Sequence, residues 1–352
     1  MLFTLSERSR LKTEDQKKKR RKQIRSIIFS VFIGLFIAWF LLSRIDPMDI
    51  PRALGNIPLY SLLLGFMMYA LAQYIKAFRL NLVLGKKIKM KQFFPIVSFY
   101  LFIVNALPRP AGEVSYVYML KKQTSTSGPR SFASLVVCGV ADAGVLVLGM
   151  IVVGIYLREP MMEGLSSFYA GLSQRISSLI ISARSNLIFL IIGFILLAAL
   201  IIFLIWFNRS RTSREHFFWR YLNLAKTKVI ETIQELANTP LDIRLLGVVG
   251  CSISIVFLRL FTYWYLVKSM KINIGIWPLS FAQFFGSLFS MIPVHGPAGI
   301  GTIEAPWVLA LQVLGISQQD AITSGFGLHI ILIICSTVLG IGSGIYLKFS
   351  DQ

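Results

Sequence analysis

Five charged residues stand inside stretches that are otherwise apolar: Arg109, Glu113, Asp142, Arg259 and Glu304. His295 and His329 lie in similar surroundings. Ionisable groups at membrane depth are expensive and usually face a partner or a functional path. Glu113 and Glu304 each follow a Pro-Ala-Gly tripeptide, at 110–112 and 297–299. A carboxylate just behind a helix break can cap the new helix, take a proton, or face a cationic part of a ligand. Arg109 matches a phosphate in shape and charge, or pairs with a carboxylate. Asp142 needs a partner, and Arg109 and Arg259 are its candidates. Arg259 lies near the outer end of its segment and can either bind or snorkel. His295 could carry protons or bind phosphate. His329, in a glycine-rich segment, reads as a hydrogen-bonded packing residue.

The residues that position these groups are themselves unusual. Residues 291–307, MIPVHGPAGIGTIEAPW, hold Pro293, Pro297 and Pro306 with Gly296, Gly299 and Gly301. Proline removes a backbone donor and glycine weakens a helix. Broken backbone in lipid leaves polar groups unsatisfied, so it survives only when buried in protein or lining a wet cavity. Gly299, Gly301 and Glu304 therefore belong to a candidate site. A weaker copy, LPRPAGEVSYVYML, lies at 107–120.

Composition sets the class. The 352 residues are 55% hydrophobic and only 15% charged, with a mean hydropathy of +0.68. Soluble domains carry about 25% charged residues. The chain reads as an all-α polytopic membrane protein without a large soluble catalytic domain. Its net charge of +20 sits largely in segments flanking apolar spans. That is the pattern of cytoplasmic loops facing an anionic leaflet, not of nucleic-acid binding. Cys138, Cys251 and Cys335 fall in apolar segments without paired spacing, so neither a disulfide nor a metal site is expected. No cofactor is implied.

Taken in order, residues 1–25 form a basic cytoplasmic tail with ten Lys/Arg against three acids. Residues 26–42 read as a retained first span, not a signal peptide. Loop 43–57 is external and 58–75 is the second span. Residues 76–92 carry six bases and no acid, which makes them cytoplasmic. The apolar run 93–107 is shorter than the ~20 residues a span requires. It breaks at 108–112, and the segment resumes at 113–120. Loop 121–130 is again basic, so both ends of 93–120 lie on one side. A re-entrant hairpin entered from the cytoplasm satisfies this parity.

Residues 131–157 are a full span, 158–186 an external loop, and 187–207 a span returning inside. Segment 208–244 is cytoplasmic, and 245–267 spans outward. A second hairpin, 277–293 and 302–314, then enters from outside. The last span is 321–347, and both termini are cytoplasmic. The chain thus divides into a first membrane repeat at 26–157 and a second, inverted repeat at 187–347. Each runs span, span, re-entrant hairpin, span. The total is six full spans and two broken hairpins, about eight hydrophobic segments. Phe78-Arg79-Leu80 and Leu258-Arg259-Leu260 recur before the two hairpins. Inverted repeats with broken helices meeting at the midplane are a recurrent transporter plan.

The pattern Pro297-x-Gly299-x-Gly301-x-x-Glu304, with Pro108 and Gly112-Glu113, resembles a flippase-like integral membrane family. That family is typified by the transmembrane region of lysylphosphatidylglycerol synthase and includes archaeal glycosylation-pathway membrane proteins. The resemblance covers roughly 25–347. Tyr116 stands where the family often has arginine, and Cys138-Gly139 where it often has Glu-Arg. The resemblance implies movement of a phospholipid or polyprenyl-linked lipid between leaflets of the plasma membrane. Its partners would be membrane lipids with anionic or zwitterionic head groups, and a lipid-synthesising enzyme. The head group would sit against Arg109, Glu113, Asp142, Arg259, His295, Gly299, Gly301 and Glu304. The alternatives are a membrane-embedded lipid-modifying transferase and an accessory subunit of a lipid-modifying enzyme. Asp46 and Asp49 are the acidic loop pair available to the transferase. No phosphate-cradling loop, metal-ligand set or nucleophile–base constellation accompanies them in the sequence.

Overall fold

The structure, a computed structural model, describes residues 32–85, 88–106, 109–124, 126–167, 170, 243–290 and 297–350. The chain separates into two units. The smaller, 158–244, is described at 158–167, where it is helical, at 170 and at 243–244. The expected span 187–207 and most of segment 208–244 lie outside the described residues. Among the described residues of the larger unit, every regular element is helical. In chain order these are α1 (Phe32–Leu42), α2 (Asp49–Gly55), α3 (Leu59–Leu84), α4 (Met90–Ala106) and α5 (Arg109–Thr124). Then come α6 (Gly128–Tyr156), α7 (Ile243–Ser269), α8 (Ile276–Phe289), α9 (Glu304–Val313) and α10 (Gln318–Ser350). A single 3-10 turn, Pro297–Gly299, stands before α9.

Four of these helices are long and apolar enough to cross a membrane: α3, α6, α7 and α10. Each presents large apolar side chains outward, among them Met67, Leu148, Phe257 and Ile341. In water such a surface would aggregate; in a bilayer it is solvated by acyl chains. The shorter apolar helices are α1, α4 and α8.

Contacts fix the direction of each helix against its neighbour. Gly112 touches Val104 and Tyr116 stacks near Tyr100, so α5 runs antiparallel to α4. Tyr74 meets Phe94, and the Asn81 amide donates to the Ile88 carbonyl, so α4 is antiparallel to α3. Tyr156 stacks on Trp277 and Gly149 meets Phe284, which makes α8 antiparallel to α6. Gly344 meets Phe99, Gly340 meets Phe102, and Ser336 bonds Asn105, so α10 runs antiparallel to α4. Where glycine faces a bulky partner two helices approach closely. In lipid this van der Waals packing replaces the hydrophobic drive between helices.

Two helix boundaries differ from expectation. Helix α3 does not stop at residue 75 but runs to Leu84, ending on Gly85 with φ 61°. Arg79, counted above as a loop base, is therefore inside the bundle and buried. A helix can carry an arginine there because Asp142 on α6 supplies the opposite charge. Likewise the first break is narrower than 108–112. Helix α4 ends at Ala106, and α5 begins at Arg109 with Pro110 in its first turn, where a missing N–H costs little. Gly112 is helical; its lack of a side chain lets Val104 pack against the backbone.

Arg79 ties three helices together. Its Nη1 contacts Asp142 Oδ1, its Nη2 donates to Asp142 Oδ2 at 2.9 Å, and Nη1 also donates to Ser252 Oγ on α7 at 2.5 Å. The second break is fixed differently. Gly301 has φ 80°, and a Cβ there would lie 2.1 Å from the Gly34 carbonyl oxygen of α1. A Cβ on Gly34 would in turn lie 2.7 Å from the Ile300 carbonyl. The turn and α1 thus meet backbone to backbone.

Two outcomes follow. Gly301→Ala lowers the thermal stability of the detergent-solubilised protein by more than about 1 kcal/mol, since it adds a clash to an unfavourable φ. Gly144→Ala, at a helical site with nothing within 4 Å of the added carbon, leaves stability unchanged or slightly raised. Removing one partner of a buried ion pair costs roughly 3–5 kcal/mol. Asp142 keeps 31% side-chain exposure, so Asp142→Asn and Arg79→Gln fall at or below the lower end of that range. The exchange Arg79→Asp with Asp142→Arg recovers part of the loss, read by the same unfolding measurement.

Candidate functional site

The two helix breaks meet the same helix. From α4, Asn105 Nδ2 donates to Ser336 Oγ at 2.9 Å. From α9, Glu304 Oε1 lies 2.6 Å from His329 Nδ1. His329 and Ser336 are seven residues apart near the middle of α10, two turns or about 10 Å along its axis. Helix α4 also packs against the Pro297–Gly299 turn. Both breaks therefore sit within one short length of α10.

Glu304 is the most buried acid among the described residues, at 1% exposure. Its second oxygen, Oε2, accepts the Gly301 backbone N–H at 2.8 Å. The local sequence accounts for this. A helix beginning at Glu304 leaves the preceding N–H groups without intrahelical acceptors. A carboxylate reaching back three residues satisfies one of them, as in a capping box. Pro306, in the first turn of α9, lacks an N–H where none is needed. Three residues upstream of Gly301, Ala298 adopts φ 55°, an uncommon value for a side chain with a Cβ, and Gly299 adopts φ 68°. The Gly299 and Gly301 positions thus bend the chain, and the Glu304 carboxylate holds the bend.

Around this pair lie further polar and aromatic groups. Trp307 Nε1 donates to Ser324 Oγ at 3.2 Å, and the Trp307 ring stands edge-on to Tyr263 at 6.0 Å. Tyr69 on α3 interacts with Ser336 and Gln73. Arg259, one turn before Tyr263 on α7, donates from Nη2 to Ser287 Oγ at 2.9 Å. Ser287 is two residues from the end of α8, where the second break begins. Buried side-chain atoms without a protein partner include Gln73 Oε1, Ser98 Oγ, Gln283 Oε1 and Thr323 Oγ1. A polar interior of this kind is costly in a protein facing lipid unless ligand or solvent uses it.

The residues expected to form the site are only partly brought together. Glu304, Gly299 and Gly301 form one unit with His329. Arg259 reaches the end of α8 and does not snorkel outward, because its Nε is buried. Asp142 is held by Arg79, not by Arg109 or Arg259, so it belongs to the three-helix tie described above. Arg79 takes both of its carboxylate oxygens. Glu113 is half-buried on α5. Arg109 opens α5, but its side chain, like His295, lies outside the described residues. Among the described residues no group of three or more His, Cys, Asp and Glu side chains could hold a metal ion.

Sequence reasoning missed two participants. His329 reads as packing because nothing near it in sequence is charged, and its partner lies 25 residues upstream. Arg79 was hidden by a basic neighbourhood. The recurrence of Arg79 and Arg259 in similar tripeptides is the signal that both occupy like positions inside the bundle.

No curated protein sequence and no solved structure matches the chain. The family model described as Lysylphosphatidylglycerol synthase TM region matches residues 27–340. That range contains both helix breaks, Glu304 with His329, and Arg79 with Asp142. With helices long and apolar enough to span a bilayer several times, the chain is a multi-pass membrane protein that belongs to the lysylphosphatidylglycerol synthase transmembrane-region family.

Proposed function

We propose that this protein moves a lipid between membrane leaflets, with the head group passing the region where the two helix breaks meet α10. The observation that carries this reading is the convergence of Asn105 and Glu304 on Ser336 and His329. A polar interior placed at mid-helix, between interrupted helices, is where broken-helix transporters bind their cargo. The lipid-related role of the family supports the same class of substrate.

The antiparallel contacts support an inverted arrangement. Short connections join α3 to α4, α5 to α6, α7 to α8 and α9 to α10. Helix pair α4–α5 then has both outer ends at one end of the bundle, and α8–α9 has both at the other. We read these as two re-entrant hairpins entered from opposite leaflets. By the excess of bases at 1–25, 76–92, 121–130 and 208–244, the first opens to the cytoplasm and both termini are cytoplasmic. The membrane is the plasma membrane in this reading. In this reading Glu113, Arg259 and the Gly299–Glu304 turn line the path, Asp142 belongs to its frame through Arg79, and Arg109 and His295 are assigned to it from the sequence alone. A lipid-synthesising enzyme would supply the cargo.

In this scheme Glu304 has two duties, holding the Gly301 turn and facing the path through His329. Capping alone is worth about 0.5–2 kcal/mol. Glu304→Gln retains an acceptor for the Gly301 N–H but loses the charge. The expected result is folded, abundant protein whose lipid translocation in liposomes falls at least tenfold, roughly the consequence of losing a charged hydrogen-bonded group. Normal translocation by Glu304→Gln and by Glu113→Gln would reduce both residues to structural caps. Orientation is read separately with single cysteines. One placed at 125 should react with a membrane-impermeant reagent from the cytoplasmic side alone; labelling from outside alone rejects the first hairpin.

A further inference from the structure

The two intramembrane arginines occupy like positions but differ in how their charge is met. Each lies on the helix that precedes a paired set of short helices, Arg79 before α4–α5 and Arg259 before α8–α9. Each donates to a serine on a neighbouring helix, Ser252 for Arg79 and Ser287 for Arg259. Arg79 also has the Asp142 carboxylate. Among the described residues, no carboxylate lies within 4.0 Å of the Arg259 guanidinium. Helix α10, which follows the second pair as α6 follows the first, carries no acid beyond Asp320 at its start.

The donors around Arg259 are correspondingly uncommitted. Its Nε, like that of Arg79, is buried and has no acceptor among the described residues; what Arg259 lacks and Arg79 has is the carboxylate. Ser287 accepts from Arg259, and its own O–H has no acceptor among the described residues. Its neighbours on α8 differ: Ser280 and Ser290 each donate back to a carbonyl four residues earlier, both at 2.7 Å. A hydroxyl can accept from a guanidinium and still donate elsewhere. Gln283, one turn before Ser287 on α8 and 3% exposed, marks the same α7–α8 seam as polar. A guanidinium that no acid among the described residues compensates, beside a hydroxyl with a proton to donate, suits an oxyanion with several acceptor oxygens.

We propose that Arg259 and Ser287 form a receptor for a phosphate group, the guanidinium and hydroxyl donating to different oxygens of one phosphate. This deepens the lipid-movement reading and rests on it for the source of the phosphate, which is a lipid head group. Guanidinium geometry favours such tetrahedral oxyanions, and a lysine cannot reproduce the fork. The position at the end of α8 puts the receptor beside the second helix break.

The test uses the full chain in detergent and in liposomes. Four probes are compared by their effect on the thermal unfolding midpoint: phosphatidylglycerol, diacylglycerol, oleate and inorganic phosphate. Phosphatidylglycerol should raise the midpoint of the parent protein, and the other lipids should not. Arg259→Gln should abolish that shift. Arg259→Lys should retain part of it, and Ser287→Ala should weaken apparent lipid affinity roughly tenfold, the effect of one charge-assisted hydrogen bond. An undiminished shift in Arg259→Gln, or an oleate effect equal to that of phosphatidylglycerol, overturns the proposal. A shift with inorganic phosphate alone keeps the phosphate site and rejects the lipid as its source. If Arg259→Gln does not fold, Ser287→Ala and the probe comparison on the parent protein still decide. Translocation assays on the same preparations separate the two readings. Arg259-dependent binding without translocation keeps the receptor and rejects lipid movement. Translocation that is indifferent to Arg259 and to the phosphate does the reverse.

Discussion

A carboxylate with almost no exposure, Glu304, holds together the least regular part of this molecule. One oxygen accepts the Gly301 amide and the other meets His329. Without the first contact, a backbone donor at a helix start would be buried unpaired, at about 1–3 kcal/mol. Without the second, a charged group would be left in an apolar interior. The two contacts need each other, because only a side chain at this position can reach both the turn behind it and the helix beside it. The bend in turn depends on Gly301 meeting the backbone of α1 at Gly34. Turn, carboxylate and histidine are thus one mechanical unit resting on α10.

The frame around that unit is held by a different device. Arg79 joins α3, α6 and α7 through Asp142 and Ser252, in the half of the bundle where α3 ends. A buried ion pair of this sort adds little net stability, but it fixes which helices are neighbours and in what register. Glycine-lined contacts do the rest. Gly65 against Leu266, Gly149 against Phe284 and Gly340 against Phe102 each let a bulky side chain lie on bare backbone. Position is therefore set by electrostatics at one level and by shape at others. The polar interior between them is spared from serving as structural glue.

Much of the helical plan was readable before any coordinates. Hydrophobic length indicates the spans at α6, α7 and α10, and Pro-Ala-Gly marks the second break, while at the first it lies just inside α5. Helix ends were less legible where a charge was involved. Lys76 and Arg79 look like a loop because sequence alone shows a basic run and cannot show that Asp142 waits on another helix. The same blindness left Arg109 and Arg259 as the candidate partners of Asp142. Pairing across 63 residues is a tertiary fact, and local patterns carry no information about it. Glu304 could be singled out from its place behind Pro297, Gly299 and Gly301. His329 could not, since a lone histidine in an apolar run has no spacing signal.

The contrast between the two arginines shows why burial alone does not identify a working residue. Arg79 is the more buried of the two, yet its charge is answered within the fold by the Asp142 carboxylate. Arg259 is less buried, and its charge is not answered by any acid among the described residues. In a membrane interior, the energetic pressure to bind something falls on the second kind of group, because a solvated alternative is remote. The same logic separates Glu304 from Asp142. Asp142 is closed off by a guanidinium. Glu304 is met only by an amide and an imidazole, which leaves the charge balance of its surroundings open to whatever passes. In the proposed reading, groups with incomplete partners beside the second helix break are what distinguish a path from a scaffold in this bundle.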